Sequence, residues 1–384
     1  MTAGMEKIHS LQLGMHWFPE RAGGLDRVFC ELSRALPSVG VSVAGLVAGS
    51  CRVAADSSGT VRAFAPISAS LLRRFNGMRQ SFLQAEHTKR PDIIVSHFAL
   101  YTLPVLDVLK QPLAIHFQGP WANESGVEGN AGPLRALKWG IERLVYRRAS
   151  RAIVLSNAFA DILCRNYKFP ESNIHVIPGG IDSRRFECLD TPDIARQRLE
   201  WPLEKPVIFV VRRLVRRMGL ESLIAAIAIL KTEIPEILVM IAGHGPLHPR
   251  LAAQIASQGL SRNIRLLGFV PDDVLPSMYR AADLSVVPSI ALEGFGLVAA
   301  ESLAAGTPCL VSPVGGLPEV VSALSKNLIL ASIAPTDIAR GISDALSGQL
   351  VMPSEESCRA YATANFDWSV IANRVADVYR MALM

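Results

Sequence analysis

The chain has 384 residues, half of them hydrophobic and 19% charged, with a formal net charge of +5. That composition excludes a disordered or low-complexity polypeptide, and the length exceeds what one hydrophobic core ordinarily organises, so two domains are expected. Six cysteines without a Cys-x-x-Cys pair suggest neither a zinc site nor a disulfide framework.

In chain order, short β-rich runs at residues 8–13, 41–47, 92–96, 113–117 and 152–155 alternate with helical periodicity. The first helix is expected from Gly24, burying Val28, Leu32 and Leu36 at i, i+4, i+8 spacing. A short strand closes this half near Pro178-Gly179-Gly180, ahead of a loop through residues 184–206. The second half repeats the theme at 207–211, 237–241, 264–267, 284–287 and 309–311. Leu220, Leu223, Ile224 and Ile227 form a helix face between the first two of these runs, and Trp368, Ile371, Ala372, Val375 and Tyr379 predict a terminal helix. The alternation implies an α/β protein with two doubly wound parallel sheets, whose ligands lie at the carboxyl ends of the strands.

The longest apolar runs, such as residues 223–230, are too short to span a bilayer, and the first residues lack an apolar signal core, so a cytoplasmic location is expected. Charge is uneven: residues 1–178 carry a net +7 and the remainder −2, which favours an anionic partner for the first half. Basic–aromatic interleaving is lacking, so nucleic acid is not expected; an anionic membrane surface or a phosphorylated acceptor fits better. Residues 134–148 are amphipathic, with Leu134, Leu137, Ile141, Leu144 and Val145 on one face and Arg135, Lys138, Arg143 and Arg147 largely off it. Leu71-Leu72-Arg73-Arg74-Phe75 adds a second basic, apolar patch. A core helix with a solvated basic face, the commoner arrangement, and a helix resting on anionic lipid both satisfy this pattern.

The densest chemical signal is Glu293-Gly294-Phe295-Gly296-Leu297, continuing to Glu301. Two carboxylates eight residues apart span a glycine-rich turn that opens a helix. Gly294 and Gly296 let a ligand approach the backbone, where helix N-terminal N–H groups can hold a phosphate. Eight residues of helix rise roughly 12 Å. The acid/base pair of a glycoside hydrolase flanks one bond with carboxyl groups about 5 to 9.5 Å apart, so gripping the two ends of one elongated ligand fits better. A nucleotide-sugar has that form. The plain alternative is a buried helix whose glutamates are a cap and a surface residue.

Val287-Pro288-Ser289 precedes this segment, and Val314-Gly315-Gly316-Leu317-Pro318-Glu319-Val320 follows the next strand. Upstream stand Gly23-Gly24, Val176-Ile177-Pro178-Gly179-Gly180-Ile181-Asp182, Arg213-Leu214 and Ile241-Ala242-Gly243-His244-Gly245-Pro246. In this order, over nearly the whole chain, they resemble the retaining glycosyltransferases of the GT-B fold, family 4, with their Glu-x7-Glu element. The resemblance implies two Rossmann-like domains facing a cleft. Residues 1–178 would bind the acceptor and residues 179–365 the nucleotide-sugar, with a helix at 366–384 crossing back to the first domain. It implies hexosyl transfer from a nucleoside-diphosphate sugar to a hydroxyl of a carbohydrate, lipid-linked or small-molecule acceptor, with no cofactor. No metal is expected, in keeping with the lack of an Asp-x-Asp element.

Within the resemblance, Glu301 is expected on ribose hydroxyls and Glu293 on those of the sugar. Arg213 would bind the diphosphate and stabilise leaving-group charge, assisted by the backbone at Gly23 and Gly24. Residues 265–270, Phe269 among them, would lie against the base, and Gly243, Gly294, Phe295, Gly296 and Leu297 complete the donor-side set. His116, ending a strand, is expected to contact the transferred sugar, so that His116, Arg213 and Glu293 form the catalytic set. The plain alternatives are a tight turn at Gly23-Gly24, a satisfied strand-end histidine at His116, and a solvated helix start for the arginines. The lysine usual in the family five residues after Arg213 is replaced by Met218; Arg216 and Arg217 are nearby cations, Arg217 the favoured replacement. The rival readings are a non-catalytic nucleotide-sugar-binding subunit and a GT-B sugar-nucleotide hydrolase or epimerase.

Overall fold

A computed structural model of the chain describes residues 7–21, 23–122, 132–187 and 190–384. The chain forms two compact units, one comprising the residues up to Gly180 together with Trp368–Met384, the other Ile181–Asp367.

The first unit is built on seven parallel strands: β1 (Ile8–His16), β2 (Val41–Ala48), β3 (Val61–Ala65), β4 (Ile93–Ser96), β5 (Leu113–Phe117), β6 (Arg151–Val154) and β7 (Ile174–Val176). Their order across the sheet is β3-β2-β1-β4-β5-β6-β7. β4 and β5 are buried at every position, as expected for parallel strands covered on both faces. The helix Gly24–Ala35 buries Val28, Phe29 and Leu32; Leu36 is buried in the short 3-10 turn that follows rather than in the helix itself. β3 has no counterpart in the sequence reading. It is a five-residue edge strand in which Arg62 is exposed and only Val61, Phe64 and Ala65 are buried.

The terminal helix Trp368–Leu383 belongs to this first unit and buries Ile371, Ala372, Val375 and Tyr379. The Tyr379 hydroxyl lies 2.9 Å from His116 Nε2 and 3.4 Å from Gln12 Oε1, so a polar contact fixes the helix against β1 and β5.

The second unit has five parallel strands: β8 (Val207–Val211), β9 (Leu238–Ala242), β10 (Ile264–Gly268), β11 (Leu284–Val287) and β12 (Cys309–Val311), ordered β10-β9-β8-β11-β12. The helix Leu220–Leu230 buries Leu220, Leu223, Ile224 and Ile227 against Val210, Val239, Ile241 and Val286. Each such side chain removed from water contributes about 1.5 to 3 kcal/mol.

The helix Pro133–Arg148 departs from the core arrangement. Its buried residues are Glu142, Val145 and Tyr146, whereas Leu134, Leu137 and Leu144 are exposed at 70, 62 and 56%. The leucine stripe faces water, and the unit is instead joined through a carboxylate. Glu142 accepts from the backbone N–H of Trp121 and Ala122 and from the hydroxyl of Tyr167. Burial pushes its pKa up to about 7, against the opposing pull of these bonds.

Candidate active site

In the second sheet β8 has β9 on one side and β11 on the other. The strand order reverses there, and the segments leaving β8 and β11 flank a crevice at the carboxyl ends, where doubly wound sheets bind ligands. Arg212 and Arg213 leave β8; Pro288 and Ser289 leave β11.

Strand alternation sends consecutive side chains to opposite sides. Arg213 is exposed, whereas Arg212 is buried. Arg212 Nη2 donates to Ser289 Oγ at 2.9 Å and lies 3.1 Å from Glu293 Oε2. Ser289 Oγ in turn donates to Glu293 Oε2 at 2.9 Å. Glu293 is thus held by two groups from two strand ends, one of them a cation. Its backbone is equally constrained. The Glu293 carbonyl accepts from Gly316 N at 2.9 Å, and a Cβ on Gly315, whose φ is +58°, would fall 2.1 Å from that oxygen, so the turn after β12 can approach only as glycine.

Gly243 has the corresponding role beside Arg212. Its φ is +134°, and a Cβ there would lie 1.9 Å from the Arg212 carbonyl oxygen. Gly243 therefore lets the turn after β9 close against the arginine's backbone.

The helix starts only at Leu297, with Gly296 as its N-cap. Glu293 belongs to the preceding turn rather than to one continuous helix, so the helical rise of roughly 12 Å between the carboxylates does not apply. Gly294 and Phe295 are buried in this turn, and Phe295 packs edge-on against Phe366 with centroids 5.2 Å apart. Glu301, within the helix Leu297–Ala304, is buried and accepts from the Tyr279 hydroxyl at 3.3 Å.

Arg217 is buried, and its Nη1 donates to the Leu292 carbonyl at 2.9 Å, bracing the residue before Glu293. Met218 is buried with its Sδ 3.9 Å from Ser289 Oγ. Phe269 is 67% exposed beside His244, with ring centroids 6.4 Å apart.

The remaining candidates lie in the first unit. Gly23 is the N-cap of the helix Gly24–Ala35. Asp26 in its first turn accepts from the backbone N–H of His16 at 3.0 Å, which ties the helix start to the end of β1. His116 is buried on β5, stacked on His97 with centroids 4.4 Å apart. Burial lowers the His116 pKa to about 3, and burial, then the neighbouring His116, lowers that of His97. Both rings are neutral near pH 7, so His116 can serve as a hydrogen-bonding group there but not as a proton donor from imidazolium.

Sequence reasoning passed over Arg212. The signal that could have found it was the pair of adjacent arginines directly after a strand, of which alternation turns one inward.

Comparison with known proteins defines the class. Residues 192–365 match the family "Glycosyl transferases group 1", and residues 22–185 match "Glycosyltransferase Family 4". The glycogen synthase of Mycobacterium tuberculosis is 30% identical over 318 residues, covering 80% of this chain and 72% of that protein. The D-inositol 3-phosphate glycosyltransferase of Streptomyces avermitilis is 29% identical over 279 residues, 70% of this chain and 60% of that one. Among solved structures, Anabaena HepE in complex with UDP and glucose superposes with a TM-score of 0.79 at 19% identity, covering 97% of this chain and all of that one. The sucrose-phosphate synthase of Thermosynechococcus elongatus gives 0.77 at 20% identity, covering 97% and 98%. The chain belongs to the group 1 glycosyltransferases and has the GT-B fold.

Proposed function

We propose that this chain is a retaining, metal-independent hexosyltransferase whose donor, a nucleoside-diphosphate sugar, is held by the turn and helix from Glu293 to Glu301. The observation that carries the reading is the Glu293 carboxylate fixed by Arg212 and Ser289 at the switch point of the second sheet. Glu301 binds ribose hydroxyls, Glu293 those of the sugar, and the N–H groups opening the helix at Leu297 face the diphosphate with Arg213. Phe269 and its neighbours in residues 265–270 lie against the base. The glycogen synthase and inositol phosphate glycosyltransferase relatives support sugar transfer, and the UDP and glucose bound to HepE support a nucleotide-sugar donor.

In this reading the bond between the anomeric carbon and the phosphate oxygen breaks, and the acceptor oxygen bonds to that carbon on the same face. The acceptor's proton passes to the departing phosphate oxygen, so no protein nucleophile is required. In the first unit, His116 contributes a neutral imidazole toward the transferred sugar, and the N-cap at Gly23 with Gly24 supplies backbone N–H groups to the diphosphate. The acceptor is a carbohydrate, lipid-linked or small molecule.

A membrane surface is the second element of the proposal. Leu134, Leu137 and Leu144 are exposed on the helix that also carries Arg143 and Arg147, and the exposed Leu72 precedes Arg73 in the chain. Among the described residues no helix is long and apolar enough to cross a membrane, so contact would be peripheral. The site of action in this reading is the cytoplasm, with peripheral contact at the cytoplasmic face of the membrane.

A panel of nucleotide-sugars tests the function by thermal shift and by release of nucleoside diphosphate. A true donor raises the melting temperature by mass action and is consumed only with an acceptor. Binding without turnover across an acceptor panel would favour a non-catalytic subunit, and release without acceptor a hydrolase.

A further inference from the structure

We infer that Arg212 is a second diphosphate-binding cation of this site, beside Arg213, and that its charge takes the place an ammonium at residue 218 would fill. The inference rests on the nucleotide-sugar reading above and adds to it a residue and a ligand group.

Three observations converge on Arg212. Its guanidinium and the tip of Met218 meet at the same atom: Ser289 Oγ is 2.9 Å from Arg212 Nη2 and 3.9 Å from Met218 Sδ. Residues 212 and 218 therefore deliver their side chains to one point beside Glu293, from opposite ends of the segment after β8. Second, Arg212 is buried, with its side chain 6% exposed, yet its Nε has no hydrogen-bond partner among the described residues. A buried guanidinium N–H left unpaired is costly unless a ligand completes it. Third, the other arginines of the segment are placed differently. Arg213 and Arg216 are exposed, and Arg217, buried like Arg212, gives Nη1 to the Leu292 carbonyl.

Charge balance explains why 212 and 218 are not both cationic. The Glu293 carboxylate faces this point. A second cation there would meet the first across a few ångströms in a largely water-free setting, and like charges so placed repel strongly. The thioether of Met218 fills the same space without charge. A guanidinium also offers a planar fork that matches phosphate oxygens better than an ammonium does.

The test is a mutant cycle read on binding and turnover. ADP, GDP and UDP, with the matching nucleosides, are titrated against the parent protein, Arg212→Gln, Arg212→Lys, Met218→Lys and the double variant Arg212→Gln/Met218→Lys. Melting curves identify any variant that fails to fold, and the Lys variant retains the charge if Gln proves unstable. Arg212→Gln is expected to weaken the preferred nucleoside diphosphate by about 10- to 100-fold, the scale of a charge-assisted hydrogen bond, while leaving the nucleoside within about threefold. Adding Met218→Lys to Arg212→Gln is expected to restore about tenfold or more, whereas Met218→Lys alone gives no gain. Equal losses for nucleoside and diphosphate, or no rescue by the lysine, would overturn the role of Arg212 while leaving the donor site standing. Failure of the parent protein to bind any of the three diphosphates would overturn the underlying reading, and the assignment with it.

Discussion

The hydroxyl of Tyr279 donates to the carboxylate of Glu301 across 3.3 Å, with both side chains almost wholly withdrawn from water. Burial, with the Glu301 charge as the second cause, holds the Tyr279 pKa well above its ordinary value, so the phenol remains a donor at any working pH. The bond fixes the orientation of the carboxylate that the proposed function assigns to ribose hydroxyls.

Glu301→Ala should weaken nucleoside diphosphate binding by about 10- to 100-fold, corresponding to about 1.5 to 3 kcal/mol for a hydrogen bond to a charged group. Tyr279→Phe should cost about 1 kcal/mol of stability and a smaller loss of affinity, because it removes only the group that orients the carboxylate. Calorimetric titration and urea unfolding of both variants check this ordering. Equal affinity losses would mean that Glu301 acts only through its tyrosine.

Stability should depend on pH in two opposed ways. Glu142 has a folded pKa of about 7 against 4.5 for an ordinary glutamate. Between those values the folded chain holds a proton that the unfolded chain has lost, so stability falls as pH rises from 4.5 to 7. His116, lowered from 6.5 to about 3, and His97, lowered in the same direction, act the other way. Only the unfolded chain protonates them, and stability falls as pH drops below 6.5. Glu142→Gln removes the first of these dependences. It should therefore gain on the parent by up to about 3 kcal/mol between pH 5 and 8, since one proton held only by the folded chain is worth about 1.4 kcal/mol for each step of one in pH. Urea unfolding at several pH values measures the difference directly. Parallel curves would contradict the burial of an ionisable Glu142.

How far the sequence discloses this arrangement depends on how local the determinant is. The valine-rich runs of β2, β8 and β11 and the apolar face of residues 220–230 are legible because their pattern is repeated within a few residues. β3 is not, since a short edge strand with an exposed Arg62 carries little apolar signal. The helix Pro133–Arg148 shows a regular leucine stripe, yet its buried side is set by Tyr146, Val145 and the hydrogen-bonded Glu142, a tertiary choice that periodicity does not encode. At the site, Glu293 and Glu301 are visible as candidates from their glycine-rich spacing. Arg212 is not, because its importance arises from a contact with Ser289 and Glu293, the first of them 77 residues away along the chain.

Peripheral membrane binding should require both the leucines and the charges of the Pro133–Arg148 helix. Co-sedimentation with vesicles containing anionic phospholipid should fall when Arg143 and Arg147 are changed to Glu, when Leu134 and Leu137 are changed to Ser, and as salt rises, since surface attraction is screened within about 10 Å at 0.1 M. Equal binding to neutral and anionic vesicles would leave a soluble acceptor as the better account.

Turnover should survive excess chelator, because the proposed diphosphate electrostatics come from arginines and backbone N–H groups. Assays with and without EDTA check this. Loss of activity on chelation, with recovery on adding magnesium or manganese, would contradict it.

The measurement closest to the central claim is donor turnover by Glu293→Gln, compared with its affinity for the free nucleoside diphosphate. Glu293 is assigned to the sugar alone, so the account predicts a fall in turnover of about 100-fold or more, the scale seen when one group stabilising a transition state is removed, with diphosphate affinity within about threefold of the parent. Turnover equal to the parent's, or a loss confined to diphosphate affinity, would contradict the placement of the sugar at Glu293.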